Sequence, residues 1–525
     1  MSDKNTLVCW FERIISYFTE STWAVLLKGS LLIFLGLYFF SSGSMKLVGI
    51  ASPFFIVPFV ITMGANRWDL FFNTFKTGIV LSVLAIQVFL FSLNIYLEYY
   101  SLNFNFFDTG FFWNPIANFS QGHGFYNSQL QLSEFADHFC PALLLFFAPL
   151  YSAIPDAVLL PIARIGFIVL SFFLFYRLLI FYGLDAGRRS FLLLFWVINI
   201  GFVNFMGFEF QSSNLIVPFV FLLFQLFESK KYLWFALVSI LVISLKENGA
   251  LVIISIGVFS MVYLDRLKPG LVLIVAGTIL LWSLPRIVMP LLSGVPGAND
   301  SAFDPFCCIP DKLNFLFLVL MCSGFALLFH PRALLVLIPA MAGSLLIGRP
   351  GAHTLTFHYQ DIPLAVSYSL LGFLLSRDRE IWPSTVISSA DFRVLAAILF
   401  GVAFYQNQYS ANYFVQAHTP TDQTIAAIDA IDKFRKDYNG TSRIWAQTCL
   451  AFYLSSENKI KCILDANQTI MDAEANYVVL CDAAPGRWPI DADYERLKAL
   501  MREDVQKGVR VEHLGYPPLI IFERR

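Results

Sequence analysis

Thirteen apolar runs, most of them near the length that crosses about 30 Å of hydrocarbon, limit this chain to few architectures. They fall at roughly 24–40, 47–64, 78–97, 157–182, 190–206, 213–227, 232–245, 249–264, 270–290, 313–329, 333–348, 362–376 and 394–409. Backbone N–H and C=O groups inside a bilayer must find partners within the protein, so each run is expected to be helical. Of the 525 residues, 57% are hydrophobic and only 14% charged, which excludes an ordinary soluble domain. The expected fold class is an all-α polytopic membrane protein of about 13 transmembrane helices with a small C-terminal α/β soluble domain. The runs 232–245 and 249–264 read either as two spans or as one broken helix, and the charge pattern favours two.

Charge placement sets the orientation. With the N-terminus inside, Lys4, Arg13, Arg67, Lys76, Arg188, Arg189, Lys230, Lys231, Arg266, Lys268, Arg332, Arg377, Arg379 and Arg393 face the cytoplasm. The outer loops before the tail then hold only Lys46, Lys246, Lys312 and Arg349, as the positive-inside rule requires. Residues 98–140 carry Asp108, His123, Glu134, Asp137 and His138 without one Lys or Arg, which marks an outer loop. The apolar segment 141–155 is bounded by Pro141 and Pro155 and reads as a re-entrant or interfacial helix on that face. No cleavable signal peptide is read at the N-terminus, so the first span directs insertion.

Three regions follow. Residues 1–77 form an N-terminal cytoplasmic segment with an extra transmembrane hairpin, 78–419 the main transmembrane domain with outer loop 98–156, and 420–525 an extracytoplasmic α/β domain. That last region holds 30 of the 73 charged residues, the mark of a water-soluble unit. It reads as helices at 421–438 and 490–507 and strands near 443–447, 460–464, 476–481, 509–514 and 518–523. The expected location is the inner (plasma) membrane.

Chemistry concentrates at the outer face. Asp108, between aromatic residues some ten positions past the third run, has apolar walls that raise its basicity enough to take a proton from a hydroxyl. The alternative is an N-cap of a short helix beginning at Thr109. Asp108, His123, Asp137 and His138 could gather a divalent metal, although their spacing matches no ligand signature and turn or cap roles are favoured. Arg164, Lys246, Arg286 and Arg349 lie near outer span ends and could hold a lipid phosphate, or else pair with Glu209, Glu247 or Asp361. His358 and Tyr359 could bond a phosphate or sugar hydroxyl, or belong to an interfacial aromatic belt. Cys449 with Cys462 is the one bridge worth testing, and Asn118, Asn439 and Asn467 begin Asn-X-Ser/Thr triplets.

Taken in order, Phe107-Asp108-Thr109-Gly110, Gly122-His123-Gly124, Asp137-His138-Phe139 followed by Pro141, Lys246-Glu247-Asn248 and His358-Tyr359 resemble the membrane family of domain of unknown function 2079. Members read Phe-Asp-x-Gly, Gly-His-Gly, Asp-His-Phe-x-Pro and Lys-Glu-Asp over about residues 90–525. Asn248 departs from the family's Asp, and Glu209-Phe210-Gln211 from its Asp-Phe-His. That family is in turn similar to the C-type (GT-C) glycosyltransferase superfamily. The resemblance implies sugar transfer from a polyprenyl-phosphate donor to a glycan, lipid or protein acceptor, with inversion. It implies Asp108 as general base, Lys246, Arg286 and Arg349 on the phosphate, and His358 as its proton donor. Nucleic acid is not an expected partner. The rival readings are a transporter or lipid flippase, and an assembly protein whose tail docks a partner.

Overall fold

The computed structural model describes residues 77–104, 106–199, 210–295, 304–323, 327, 330–348, 360–377, 420–438, 442–457, 459–463, 475–483 and 491–525. The runs at 24–40, 47–64 and 394–409 lie outside these, as do Glu209, Arg349, His358 and Tyr359. In chain order the first helices are α1 (Thr77–Tyr100), α2 (Phe111–Ser120), α3 (Pro141–Tyr151), α4 (Leu159–Phe181), α5 (Ala186–Ile198), α6 (Val217–Glu228) and α7 (Tyr232–Leu245). There follow α8 (Gly249–Tyr263), α9 (Leu267–Ser283), α10 (Met289–Ser293), α11 (Ile309–Cys322), α12 (Pro331–Leu345) and α13 (Asp361–Ser376).

Among the described residues, three helices are long and apolar enough to cross a membrane: Val80–Tyr100, Leu159–Phe181 and Leu267–Ser293. The other apolar helices, among them α3, α7, α8, α12 and α13, run to 10–17 residues. The stretch 232–264 forms two helices, α7 and α8, separated at Lys246–Asn248. The fifth run starts earlier than its hydropathy suggests. Asp185 accepts from Arg188 N at 2.9 Å and caps α5, which draws Arg188 and Arg189 into its first turn.

Every described side chain of α13 from Asp361 to Leu375 is buried, so this helix forms the axis of the bundle. α6 lies beside it and parallel to it. Ser213 and Asn214, just before α6, bond Asp361 in the first turn of α13, while Glu228 and Arg377 interact at the opposite ends. Between those ends Phe175, Trp196, Phe221 and Tyr368 fill the middle, with Phe175 stacked on Phe221 at 4.7 Å and Trp196 against Tyr368 at 5.0 Å. Asn199 donates to Tyr368 Oη at 2.8 Å, and that hydroxyl donates to Cys322 O at 3.1 Å, so the polar atoms of this plug are satisfied.

α8 and α9 make a hairpin that depends on glycine. A Cβ on Gly257 would stand 2.8 Å from Gly270 O, and one on Gly270 would stand 2.6 Å from Gly257 O. Small residues let helix backbones approach this closely, which is how helices gain dispersion contact where lipid supplies no hydrophobic drive. The outer face of α9 is apolar and exposed at Leu271, Val272, Ile279 and Trp282, a surface suited to lipid.

The loop after α1 carries its own short elements. A π-turn (Phe106–Gly110) runs into α2, then a short hairpin of β1 (Tyr126–Asn127) and β2 (Leu132–Ser133), a 3-10 turn (Glu134–Ala136) and α3. The C-terminal region folds as read: α14 (Asp422–Asp437), β3 (Ile444–Ala446), β4 (Ile460–Cys462), β5 (Tyr477–Cys481), α16 (Asp491–Gln506), β6 (Arg510–His513) and β7 (Leu519–Arg524). One helix went unread, α15 (Thr448–Tyr453). The strand order is β4-β3-β5-β7-β6, with β3 parallel to β4 and β5, and β7 antiparallel to β5 and β6. Strand alternation sorts the two faces. Trp445, Val478, Leu480 and Phe522 pack with Leu497 and Met501 of α16, while Ile444, Ala446, Val479 and Ile521 join a core that includes the loop and the bundle.

Candidate functional site

The site begins where α1 ends. Leu102 takes a positive φ of 57° and turns the chain back, so that Phe104 is buried and the π-turn carrying Asp108 lies over the bundle. Asp108 does not cap α2, because the capping position is Gly110 and no side chain bonds there. Its Oδ1 instead accepts from Gln211 Nε2 at 2.5 Å, and Thr109 Oγ1 accepts from Phe210 N at 3.3 Å. Burial pushes the Asp108 carboxyl up to about 6, against the opposing pull of Gln211 and the Lys246 ammonium. A carboxylate so tuned is a competent proton acceptor near neutral pH.

Gln211 is held in turn. Its N–H donates to Asn214 Oδ1 at 2.9 Å, and Asn214 Nδ2 donates to Asp361 Oδ2 at 2.9 Å. Lys246 and Arg164, 6% and 3% exposed, both act electrostatically on Asp361. Lys246 sits at the C-terminal end of α7, where the helix dipole favours a cation. Its ammonium has no hydrogen-bonded or ion-paired partner among the described residues, although its charge reaches Asp108, His138 and Asp361.

A second cluster flanks Lys246. His138 Nδ1 lies 3.2 Å from Asp137 Oδ2 and 3.5 Å from Glu134 Oε1, with its ring against the edges of Phe111 and Phe112. Burial works against the imidazolium, but Asp137 and Glu134 outweigh it and hold His138 above its ordinary pKa. Glu134 is fully buried and accepts from Asn127 Nδ2 at 2.6 Å. Burial raises its pKa, with His138 and Asn127 pulling the other way. Glu247 Oε2 accepts from Phe139 N at 3.2 Å and so ties the Lys246 turn to this loop.

Of the residues singled out in the sequence, Asp108, Asp137, His138, Arg164, Lys246 and Glu247 therefore gather around one region. His123 does not, since it sits on an exposed turn between Gly122 and Gly124, whose φ values are 85° and 68°. Arg286 lies in the turn between α9 and α10, with its guanidinium over Trp282, 5.9 Å from the ring centroid. The quartet Asp108, His123, Asp137 and His138 does not assemble. Among the described residues no group of three or more His, Cys, Asp or Glu is placed to hold a metal ion. Cys449 and Cys462 are free thiols, both buried. Asn118 spends its amide inside the loop, donating to Asn114 Oδ1 and Tyr126 O.

Sequence reasoning counted Glu134 among the polar groups of the loop without giving it a role, and missed Gln211 and Asn214. The signal for Gln211 was its place in the triplet Glu209-Phe210-Gln211, where a neutral amide stands close to a carboxylate.

The profile of the DUF2079 family of predicted membrane proteins matches residues 98–508. The chain belongs to this family. The region that this DUF2079 protein shares with its family runs from the end of α1 into the turn after α16, so the loop, the bundle and most of the α/β unit form one inherited whole. It contains the Asp108 turn, the Asp137-His138 turn and the Lys246 turn. No curated protein matches the chain.

Proposed function

We propose that this DUF2079 protein is a membrane-embedded glycosyltransferase that moves a sugar from a polyprenyl-phosphate donor to an acceptor hydroxyl at the outer face of the inner membrane. On this reading the chain has about thirteen spans, a cytoplasmic N-terminus and an extracytoplasmic α/β domain. The observation that carries the proposal is the pairing of Asp108, a carboxyl raised to about 6, with a buried Lys246 ammonium that acts both on it and on Asp361. The acceptor oxygen attacks the anomeric carbon as its proton passes to Asp108. The bond from that carbon to the phosphate oxygen breaks, and the phosphate leaves with the electron pair. Lys246 and Arg164 stabilise the charge that grows on it, because a cation in a water-poor site acts more strongly than one in solvent. Asp361, held by Ser213 and Asn214, keeps the two cations in place.

A transporter is the second reading. Ionisable groups occupy both ends of the parallel pair α6 and α13, with Asp361 at one end and Glu228 beside Arg377 and Arg266 at the other. Between those ends the described residues place the aromatic plug of Phe175, Trp196, Phe221 and Tyr368, which a transported substrate would have to pass. The test is transfer of label from a radiolabelled polyprenyl-phosphate sugar by the purified protein. Asp108→Asn is expected to lower the rate on the order of 10²- to 10⁴-fold. An unlabelled acceptor pool, or equal rates in the two proteins, would sink the proposal.

A further inference from the structure

The segment that carries Asp108 is covered on its far side by the C-terminal unit. α15 packs directly on the π-turn Phe106–Gly110. Phe452 of α15 stacks on Phe104 at 4.6 Å with an interplanar angle of 18°, and Tyr453 donates its hydroxyl to Tyr99 O. The turn after α15 then fastens α2. Trp113 Nε1 donates to Ser456 Oγ at 3.0 Å, and Asn114 Nδ2 donates to Ser455 O at 2.8 Å and to Glu457 O at 3.0 Å. Asn114 is fully buried, and its Oδ1 accepts from Ser128 N, Ser128 Oγ and Asn118 Nδ2, so one amide joins the α/β unit, α2 and the β1–β2 hairpin. α15 cannot drift, because Gln447 at its start donates N–H to Val479 O and accepts from Cys481 N, fixing it to β5.

We infer that the C-terminal α/β unit is a positioning element: α15 and the Ser455–Glu457 turn hold the π-turn and α2 so that the Asp108 carboxylate stays in its half-buried place against Gln211. The inference rests on the reading of Asp108 as the base, and it adds Asn114, Phe452 and Ser456 as positioning residues that touch no substrate. A side chain held in a packed, water-poor setting by a second unit loses that setting when the second unit loosens.

The experiment labels the full-length protein in lipid nanodiscs with dicyclohexylcarbodiimide, which adds to protonated carboxyls, and follows the Asp108 peptide by mass spectrometry across pH. Labelling of the unaltered protein falls as pH rises through about 6. In Phe452→Ala and Asn114→Ala, water reaches the carboxyl, and the midpoint is expected to drop by about one pH unit. Leu514→Ala, at a surface position 84% exposed, is expected to leave it unchanged. Ser456→Ala removes the acceptor of Trp113 and a long bond to Pro155 O, a smaller change that guards against gross unfolding, with a smaller shift in the same direction expected. Midpoints equal to that of the unaltered protein in all three loop-facing variants overturn the inference. The labelling reads the carboxyl directly, so it decides the positioning role whether or not sugar transfer is found.

Discussion

Gly249 offers a direct way to move Lys246 without touching its charge. The turn between α7 and α8 is stitched by Gly249 N to Lys246 O at 2.9 Å and by Lys246 N to Val242 O at 3.4 Å. A Cβ on Gly249 would stand 2.6 Å from that same Val242 O, 2.8 Å from Val242 C and 2.7 Å from Val242 Cγ1. Ordinary contact begins at 3.4 Å, so Gly249→Ala forces the turn open by about 0.8 Å. Because two of the three obstructing atoms are backbone, no rotamer change relieves the clash. Overpacking of this kind costs about 1–3 kcal/mol, and displacement of a reacting constellation by roughly 1 Å costs on the order of 10²-fold in rate. Gly249→Ala is therefore expected to unfold a few degrees earlier in a thermal scan of the detergent-solubilised protein and to transfer sugar ten- to a hundredfold more slowly. Adding Val242→Ala removes only the Cγ1 obstruction and is expected to restore less than half of either loss. A Gly249→Ala protein with unaltered melting and rate would refute the reasoning, since it would mean that the turn does not set the position of Lys246.

Two further outcomes follow from the same site. A base must be ionised to accept a proton, so the transfer rate is expected to fall about tenfold per pH unit below about 6 and to level off above it, and a flat profile from pH 4.5 to 7 contradicts the assignment of Asp108. Glu134→Gln keeps an acceptor for Asn127 but removes a charge that favours the His138 imidazolium. The His138 pKa read by deuterium exchange at the ring carbon between the nitrogens is expected to drop, and an unmoved titration argues against the Glu134–His138 pairing.

How much was legible depends on the range of the interaction involved. The bounds of α7 and α8 lie open in the sequence, because Lys230-Lys231 and Lys246-Glu247-Asn248 interrupt otherwise unbroken apolar runs. The strands of the α/β unit show in their alternation, with Ile444 and Ala446 on one face and Trp445 on the other. Asp108, His138 and Lys246 stood out as polar groups in an apolar setting. α15 did not, since Thr448–Tyr453 is too short for a helical period to emerge. The Asp108–Gln211 bond was hidden because a neutral amide carries little weight beside Glu209, and 103 positions separate the two partners. The placement of Arg286 against Trp282 depends on which way α9 faces, and an apolar run of uniform hydropathy does not specify that.

The bond between Trp113 and Ser456 spans 343 positions. At translation rates of about 5–20 residues per second, the ribosome needs roughly 17 to 70 s to supply the second partner after the first has emerged. For that interval the early loop stands with buried-type groups such as Asn114 and Phe104 uncovered, exposed to chaperones and proteases in the meantime. A chain stopped short of α15 is thus marked as unfinished by its own first loop, and disposal of such fragments can begin from that loop, far upstream of the missing end.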